Sequence, residues 1–332
     1  MRVSMPLDAF SEWLESRAGL CLVAGPCSVE TEEQVTRTAL ELSRYGVTLL
    51  RGGIWKPRTR PGSFEGVGPK GLQWLKAAGG SAGLPVATEA ACPAHVDHCL
   101  KAGIDVLWIG ARTTTSPVAV QEIANALAGV DIPVMIKNPM NPDLELWIGA
   151  IERVLNAGVR RVAAVHRGFS THTRRKYRNQ PLWSIPLDLR RRLPDLPLLC
   201  DPSHISGARA YLAEVARAAV DLGFDGLMVE CHWRPENARS DAEQQLTPAQ
   251  FGALVQEFGW KPRGDLESRR LARELDEIDE DLDVLLHRRL AVLRQAERRA
   301  HVSRASAWAA NLGTAIAHQL QRVYPGVWRG IG

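Results

Sequence analysis

The stretch Leu49-Leu50-Arg51-Gly52-Gly53-Ile54-Trp55-Lys56-Pro57-Arg58-Thr59-Arg60-Pro61 decides how the rest of the chain reads. Val47-Thr48-Leu49-Leu50 has the pattern of a short buried strand. It ends on a guanidinium and two glycines, and a turn then gathers Lys56, Arg58 and Thr59 into one loop. Arg offers a planar fork and Lys a movable point charge, so the loop suits a phosphate or a carboxylate. Pro57 reduces the entropy lost in ordering it. Taken alone, the same residues also describe a solvated basic loop. The other strand ends decide between the two.

Similar β-rich runs stand at Leu20–Ala24, Val47–Leu50, Leu84–Ala87, Val106–Ile109, Val134–Ile136, Val159–Val165, Leu196–Leu199 and Gly226–Val229. Helical patterns fill the gaps at Thr31–Tyr45, Pro69–Ala78, Pro93–Ala102, Ala119–Leu127, Pro142–Ala157 and Ala208–Leu222, after an amphipathic opening helix at Pro6–Arg17. Strands alternating with helices indicate a parallel sheet. Eight such units in about 240 residues predict a closed (β/α)₈ barrel, with an open doubly wound sheet as the alternative.

Barrel enzymes build their sites at the carboxyl ends of the strands. Here those ends lead to Cys27-Ser28, Arg51 and Lys56, Thr88-Glu89, Gly110-Ala111-Arg112, Lys137-Asn138, His166-Arg167, Asp201-Pro202-Ser203-His204, and Glu230 with Asp241 further along. Packing alone would not make all eight ends polar. Arg51, Lys56, Arg112, Lys137 and Arg167 are cations enough for more than one anionic group. Cys27, His204, Glu230 and Asp241 mix S, N and O donors, which suits a divalent transition ion. They come from strand ends one, seven and eight, which are neighbours in a closed barrel.

Among the 332 residues, 45% are hydrophobic and 23% charged, which describes an ordinary globular protein with ample core. A net charge of +4, with bases and acids interspersed, argues against a nucleic-acid face. No apolar run reaches membrane-spanning length, and Asp8, Glu12 and Glu15 occupy the region where a signal peptide would be apolar. Six scattered cysteines do not form a disulfide framework, so a reducing cytoplasm is expected.

The order of these segments resembles the 3-deoxy-D-arabino-heptulosonate 7-phosphate (DAHP) synthases. The resemblance covers roughly residues 18–250 and rests on Ala24-Gly25-Pro26-Cys27-Ser28-Val29-Glu30, Lys56-Pro57-Arg58-Thr59, Ile109-Gly110-Ala111-Arg112, Ile136-Lys137-Asn138, His166-Arg167-Gly168, Asp201-Pro202-Ser203-His204 and Ser240-Asp241. It is closest to the form with no regulatory domain ahead of the barrel. It implies a metal-dependent condensation of phosphoenolpyruvate with erythrose 4-phosphate, the first step of the shikimate pathway. By resemblance Cys27, His204, Glu230 and Asp241 are the metal ligands, with Mn²⁺ the expected ion and Fe²⁺, Co²⁺ or Zn²⁺ the alternatives. Arg51, Lys56, Arg112, Lys137 and Arg167 would hold phosphoenolpyruvate, with Gly110 and Ala111 at its phosphate and Asp201 beside them. Arg58 and Thr59 would face erythrose 4-phosphate. Lys56, Cys27 and His204 form the expected catalytic group. The sister synthase that uses arabinose 5-phosphate has Lys-Ala-Asn-Arg-Ser where this chain has Lys56-Pro57-Arg58-Thr59, which favours the four-carbon aldose. A non-catalytic barrel that only binds phosphorylated ligands is the other-class alternative, and it has no need of such a donor set.

Cys92, His95, His98 and Cys99 look like a zinc cluster. On a helix, however, His98 lies roughly 100° round from Cys99, so the four would not converge.

After Trp260 the composition changes, which divides the chain into an expected barrel at 1–260 and a helical domain at 261–332. From Leu266 to about Ala300 there is no Pro or Gly, and Leu271, Leu275, Ile278, Leu282, Leu285, Leu286, Leu290 and Leu293 recur at helical spacing. A helix of about 35 residues is roughly 50 Å long, and its stripe needs a partner, so a homodimer or homotetramer is expected. The segment resembles the first helix of the all-helical chorismate mutases through Leu275–Leu282 and Leu285-Leu286-His287-Arg288-Arg289-Leu290. Arg289 matches a substrate-binding arginine of that family. Ala272 and Ala300 stand where other cations are expected, so the resemblance implies a degenerate copy, with a bifunctional synthase and mutase as the alternative.

Overall fold

A computed structural model describes residues 20–56, 62–172 and 176–257, and in the tail 284–285, 288–289 and 291–292. The opening helix expected at Pro6–Arg17 lies outside the described residues. Eight parallel strands close into a barrel in sequence order, with β1 hydrogen-bonded to both β2 and β8. They are β1 Cys21–Gly25, β2 Leu49–Arg51, β3 Val86–Glu89, β4 Val106–Ile109, β5 Val134–Lys137, β6 Val162–His166, β7 Leu198–Cys200 and β8 Gly226–Glu230. The barrel is the predicted architecture. Each strand sits within a few residues of its expected run, and several extend one residue further at the carboxyl end.

Around it lie α1 Glu32–Leu42, α2 Lys70–Ala82, α3 Pro93–Lys101, α4 Ala111–Thr114, α5 Pro117–Ala126, α6 Leu144–Asn156, α7 Ser184–Arg192, α8 Pro202–Ser206, α9 Arg209–Asp221 and α10 Pro248–Glu257. Their starts follow local chemistry. Thr31, Ser116 and Asp143 each accept a hydrogen bond from a first-turn backbone N–H, satisfying donors that a helix leaves open. Helix α7 carries Pro186 and three arginines, and its low mean hydropathy leaves little apolar signal in the sequence.

Side chains alternate across each strand and create two cores. Cys21, Val23, Leu49, Ala87, Val106, Trp108, Met135, Ala163, Val165, Leu199 and Met228 fill the barrel interior. Leu22, Ala24, Leu50, Leu107, Ile136 and Leu227 face outward against the helices, where Trp147 and Ile151 of α6 are wholly buried. Burying each large apolar side chain contributes about 1.5–3 kcal/mol. The interior core stops below the carboxyl ends of the strands, where the buried side chains become polar.

The chain divides into one unit ending at Arg263 and another beginning at Gly264. In the second, the described residues are helical, Arg289 among them. Ala272 and Ala300 lie outside the described residues. Among the described residues no helix is long and apolar enough to cross a membrane.

Candidate active site and metal centre

Barrel closure brings the first and last strand ends together. Gly25 pairs with Glu230 across the β1–β8 seam, so Cys27, two residues on, stands beside that carboxylate. The turn requires glycine, because Gly25 has φ 151° and a Cβ there would come within 2.0 Å of the Arg51 carbonyl oxygen. Cys27 Sγ, a carboxylate oxygen of Glu230 and one of Asp241 all lie within 4.8 Å of one another. Asp241 holds φ 47°, a left-handed conformation that Asp tolerates better than most residues. Its Oδ2 is 3.4 Å from Cys27 Sγ.

His204 completes the group through the start of α8. Asp201 is the N-cap with Pro202 at the first helical position, and Asp201 Oδ1 accepts the His204 backbone N–H at 3.1 Å. That turn sets His204 Nδ1 2.7 Å from Asp201 Oδ2, so the carboxylate stands directly behind the ring. The other ring nitrogen, Nε2, stands 3.6 Å from Glu230 Oε1. A carboxylate behind one imidazole nitrogen, with the other turned inward, is the arrangement that orients a histidine for a metal.

Electrostatics support the same reading. Burial pushes the Cys27 thiol up to about 12, with Glu230 and Asp241 adding to the rise against Lys56 and Arg51. Burial also opposes the charges of Glu230 and Asp201, but nearby cations outweigh it and hold both below the usual carboxylate range. His204 is held below its ordinary value by burial, against Asp201 and Glu230. The thiol, imidazole and two carboxylates gathered here are a mixed S, N and O donor set, which fits a divalent transition ion.

The cations converge from the other side. Arg51 is 1% exposed, and its Nη2 donates to Glu230 Oε1 at 3.1 Å. Its Nε and Nη1 are buried without a hydrogen-bond partner, donors that an anionic ligand would satisfy. Lys137 Nζ donates to Asp201 Oδ2 at 2.7 Å. Arg51 and Lys137 lie 5.0 and 5.8 Å from the centre of the Trp108 ring, which floors the site. The buried Arg167 is held through its backbone N–H, which donates to Asn138 Oδ1 at 2.7 Å. Burial pushes its pKa down to about 10, and the neighbouring Arg178 and Arg112 add to this against Asp201. Lys56 Nζ is 3.0 Å from Cys27 Sγ and 3.1 Å from the Cys27 carbonyl oxygen. Burial opposes its charge, but Cys27, Glu230 and Glu89 outweigh it and raise its pKa.

Direct contacts therefore join Cys27, Lys56, Arg51, Glu230, Asp241, His204, Asp201 and Lys137. Arg112 is the second residue of the short α4 and is exposed. Gly110 stands against Glu89, where a Cβ would meet Oε1 at 2.0 Å, and Ala111 follows it. Arg58 and Thr59 lie outside the described residues. His95 is not turned toward a metal: its Nδ1 accepts the Ala91 N–H, and its ring stacks on Trp55 with centroids 3.8 Å apart. Asn138 stands at the fifth strand end, as its place beside Lys137 in the sequence indicates, whereas Trp108, Arg178, Gln244 and Gln245 carry no such signal. A cavity of about 430 Å³ at the amino-terminal face, lined by Pro85, Asp105, Asp131, Pro133 and Arg161, shares none of the site residues.

Residues 16–263 match the model of the DAHP synthetase I family. The chain is 35% identical over 237 residues to a phospho-2-dehydro-3-deoxyheptonate aldolase of Thermotoga maritima, covering 71% of this chain and 68% of that protein. It is 28% identical over 260 residues to a 2-dehydro-3-deoxyphosphooctonate aldolase of Geotalea daltonii, covering 72% and 91%. The crystal structure of the Thermotoga maritima DAHP synthase superposes with a TM-score of 0.66 at 33% identity, covering 74% of this chain and 72% of that one. A truncated form of the DAHP synthase from the same organism gives 0.63 at 31% identity, covering 74% and 90%.

Proposed function

This chain belongs to the DAHP synthetase I family, and from that premise we propose that it condenses phosphoenolpyruvate with erythrose 4-phosphate and releases inorganic phosphate. The observation that carries the reading is the meeting of two chemistries on one strand-end face. Buried cations for an acidic substrate stand against a thiol, imidazole and carboxylate donor set, and the Arg51–Glu230 pair joins them.

Cys27, His204, Glu230 and Asp241 would hold a divalent ion, Mn²⁺ by preference, whose chemistry is Lewis-acid polarisation of the aldehyde. Arg51 and Lys137 bind and orient the phosphoenolpyruvate anion, using the guanidinium nitrogens left unpartnered in the barrel. Lys56 carries a proton on Nζ and is placed to deliver it to the alkoxide as the new carbon–carbon bond forms. Positive character then develops at the former enol carbon, and water adds there. Arg112, Lys137 and Arg167 stabilise the phosphate as its bond to that carbon breaks. Asp201 acts from behind, holding Lys137 and His204 in place. By the resemblance, Arg58 and Thr59 would serve the aldose.

Incubating the purified protein with both substrates and Mn²⁺ tests this, following the loss of phosphoenolpyruvate absorbance. Phosphate release with erythrose 4-phosphate and not with arabinose 5-phosphate is the expected result. Turnover only with the five-carbon aldose would assign the sister reaction. Phosphoenolpyruvate binding with no release under either condition would leave a ligand-binding barrel. The tail we read as an assembly or regulatory element, with the chorismate mutase reaction doubtful.

A further inference from the structure

The loop after β8 carries two consecutive glutamines, Gln244 and Gln245, which are 1% and 0% exposed. Their amides serve different partners. Gln244 Nε2 donates to Glu230 Oε2 at 2.7 Å, while its Oε1 accepts from Arg178 Nη1 at 3.0 Å. The same Arg178 nitrogen donates to Asp241 Oδ1 at 3.0 Å. Gln245 Oε1 accepts the Cys27 backbone N–H at 2.9 Å, and its Nε2 donates to the Ser240 carbonyl at 2.9 Å. Cys27, Glu230 and Asp241 are thus each tied by one of these amides or by the arginine that Gln244 holds.

We propose that Gln244 is a positioning residue for the divalent ion, fixing the Glu230 carboxylate so that Oε1 faces the barrel interior and steadying Asp241 through Arg178. The inference rests on the metal reading above. A neutral amide suits the task because it donates to a carboxylate and accepts from a guanidinium at once. It satisfies both without adding a charge beside the ion. Asp241 sits in a sparsely populated backbone conformation and needs such support to stay there. Partners behind a metal ligand typically contribute ~10–100-fold in metal affinity.

Mn²⁺ titration of the metal-free full-length protein, with free ion read by electron paramagnetic resonance, provides the test. Gln244→Met keeps the length and removes both hydrogen bonds. Gln244→Asn keeps the amide but cannot reach Glu230, and it decides the matter if the Met variant does not fold. Each folded variant is expected to bind Mn²⁺ ~10–100-fold more weakly than the parent. The visible spectrum of bound Co²⁺ should also shift, because Glu230 no longer presents a fixed oxygen. A folded variant that binds Mn²⁺ within about twofold of the parent overturns the proposal, even if it melts earlier, since that pattern belongs to a merely structural glutamine. A parent that binds no Mn²⁺ overturns the metal reading and this inference with it. A parent that binds, beside variants that bind equally well, overturns this inference alone.

Discussion

Lys56 Nζ lies 3.0 Å from Cys27 Sγ, so the amine proposed to move a proton touches the thiol proposed to hold the ion. Gly53 makes the approach possible, since a Cβ there would stand 2.6 Å from the Cys27 carbonyl and 3.4 Å from Lys56 Nζ. The contact places proton donor and metal donor at one point of the barrel mouth. Lys56→Ala should lower kcat by ~10²–10⁴ while the unfolding midpoint changes little, because proton transfer typically contributes that factor. Turnover within a few-fold of the parent would make Lys56 a bystander cation.

Metal removal should abolish turnover. Cys27, Glu230 and Asp241 are pre-arranged within 4.8 Å, with His204 at 3.6 Å from Glu230. Chelator-treated protein is expected to regain activity on addition of Mn²⁺. Full activity in protein shown free of metal by elemental analysis would refute the donor set.

Asp201 stands between an ammonium and an imidazole, 2.7 Å from Lys137 Nζ and 2.7 Å from His204 Nδ1. Asp201→Asn keeps the shape but removes the charge both partners face. Breaking a buried pair typically costs about 3–5 kcal/mol, so urea unfolding should show a loss of that order together with weaker Mn²⁺ binding. A variant as stable as the parent would show that Lys137 gains little from the carboxylate.

His166 is wholly buried, with Trp147, Phe169, Trp183 and Phe224 around it. Burial pushes its pKa down to about 3, whereas an unfolded histidine titrates near ~6.5. Between those values the unfolded chain binds a proton that the native state refuses. This group therefore stabilises the fold fully above pH ~6.5 and loses that contribution toward pH 3, at up to about 1.4 kcal/mol per pH unit. His166→Leu should flatten the dependence of urea stability on pH between 6 and 4. An unchanged slope would remove His166 from the acid response.

The tail should assemble chains and catalyse little chorismate rearrangement. Arg289 is present in a helical stretch, but Ala272 and Ala300 stand where the resemblance expects cations. Losing one oriented electrostatic contact typically costs a few kcal/mol of barrier, so losing two leaves little rate. Deleting residues 265–332 should reduce the oligomer seen in sedimentation or remove feedback by a pathway end product. Prephenate formed by the full chain at ordinary enzyme rates would contradict this reading.

Local pattern carried most of the fold. The alternation of β runs with helical periods predicted a barrel, and the polar residue after each run predicted the face that bears the site. Asp201-Pro202-Ser203-His204 was legible because an N-cap followed by proline builds its own turn, whatever lies around it. Cys27, His204, Glu230 and Asp241 share a metal-donor chemistry, and closing a barrel makes strand ends seven, eight and one neighbours.

Gln244, Gln245 and Arg178 had no such signal. Gln245 meets the Cys27 backbone across 218 residues of chain, and Arg178 meets Asp241 across 63. Glutamines in a loop otherwise read as solvated polar residues. Periodicity and capping act over a few residues, so the sequence by itself determined the elements, their order and which ends are polar. Which amide reaches which carboxylate depends on how two distant loops are laid against each other once the barrel has closed. Only the tertiary structure decided that, because the bonds form between segments whose separation no local pattern encodes.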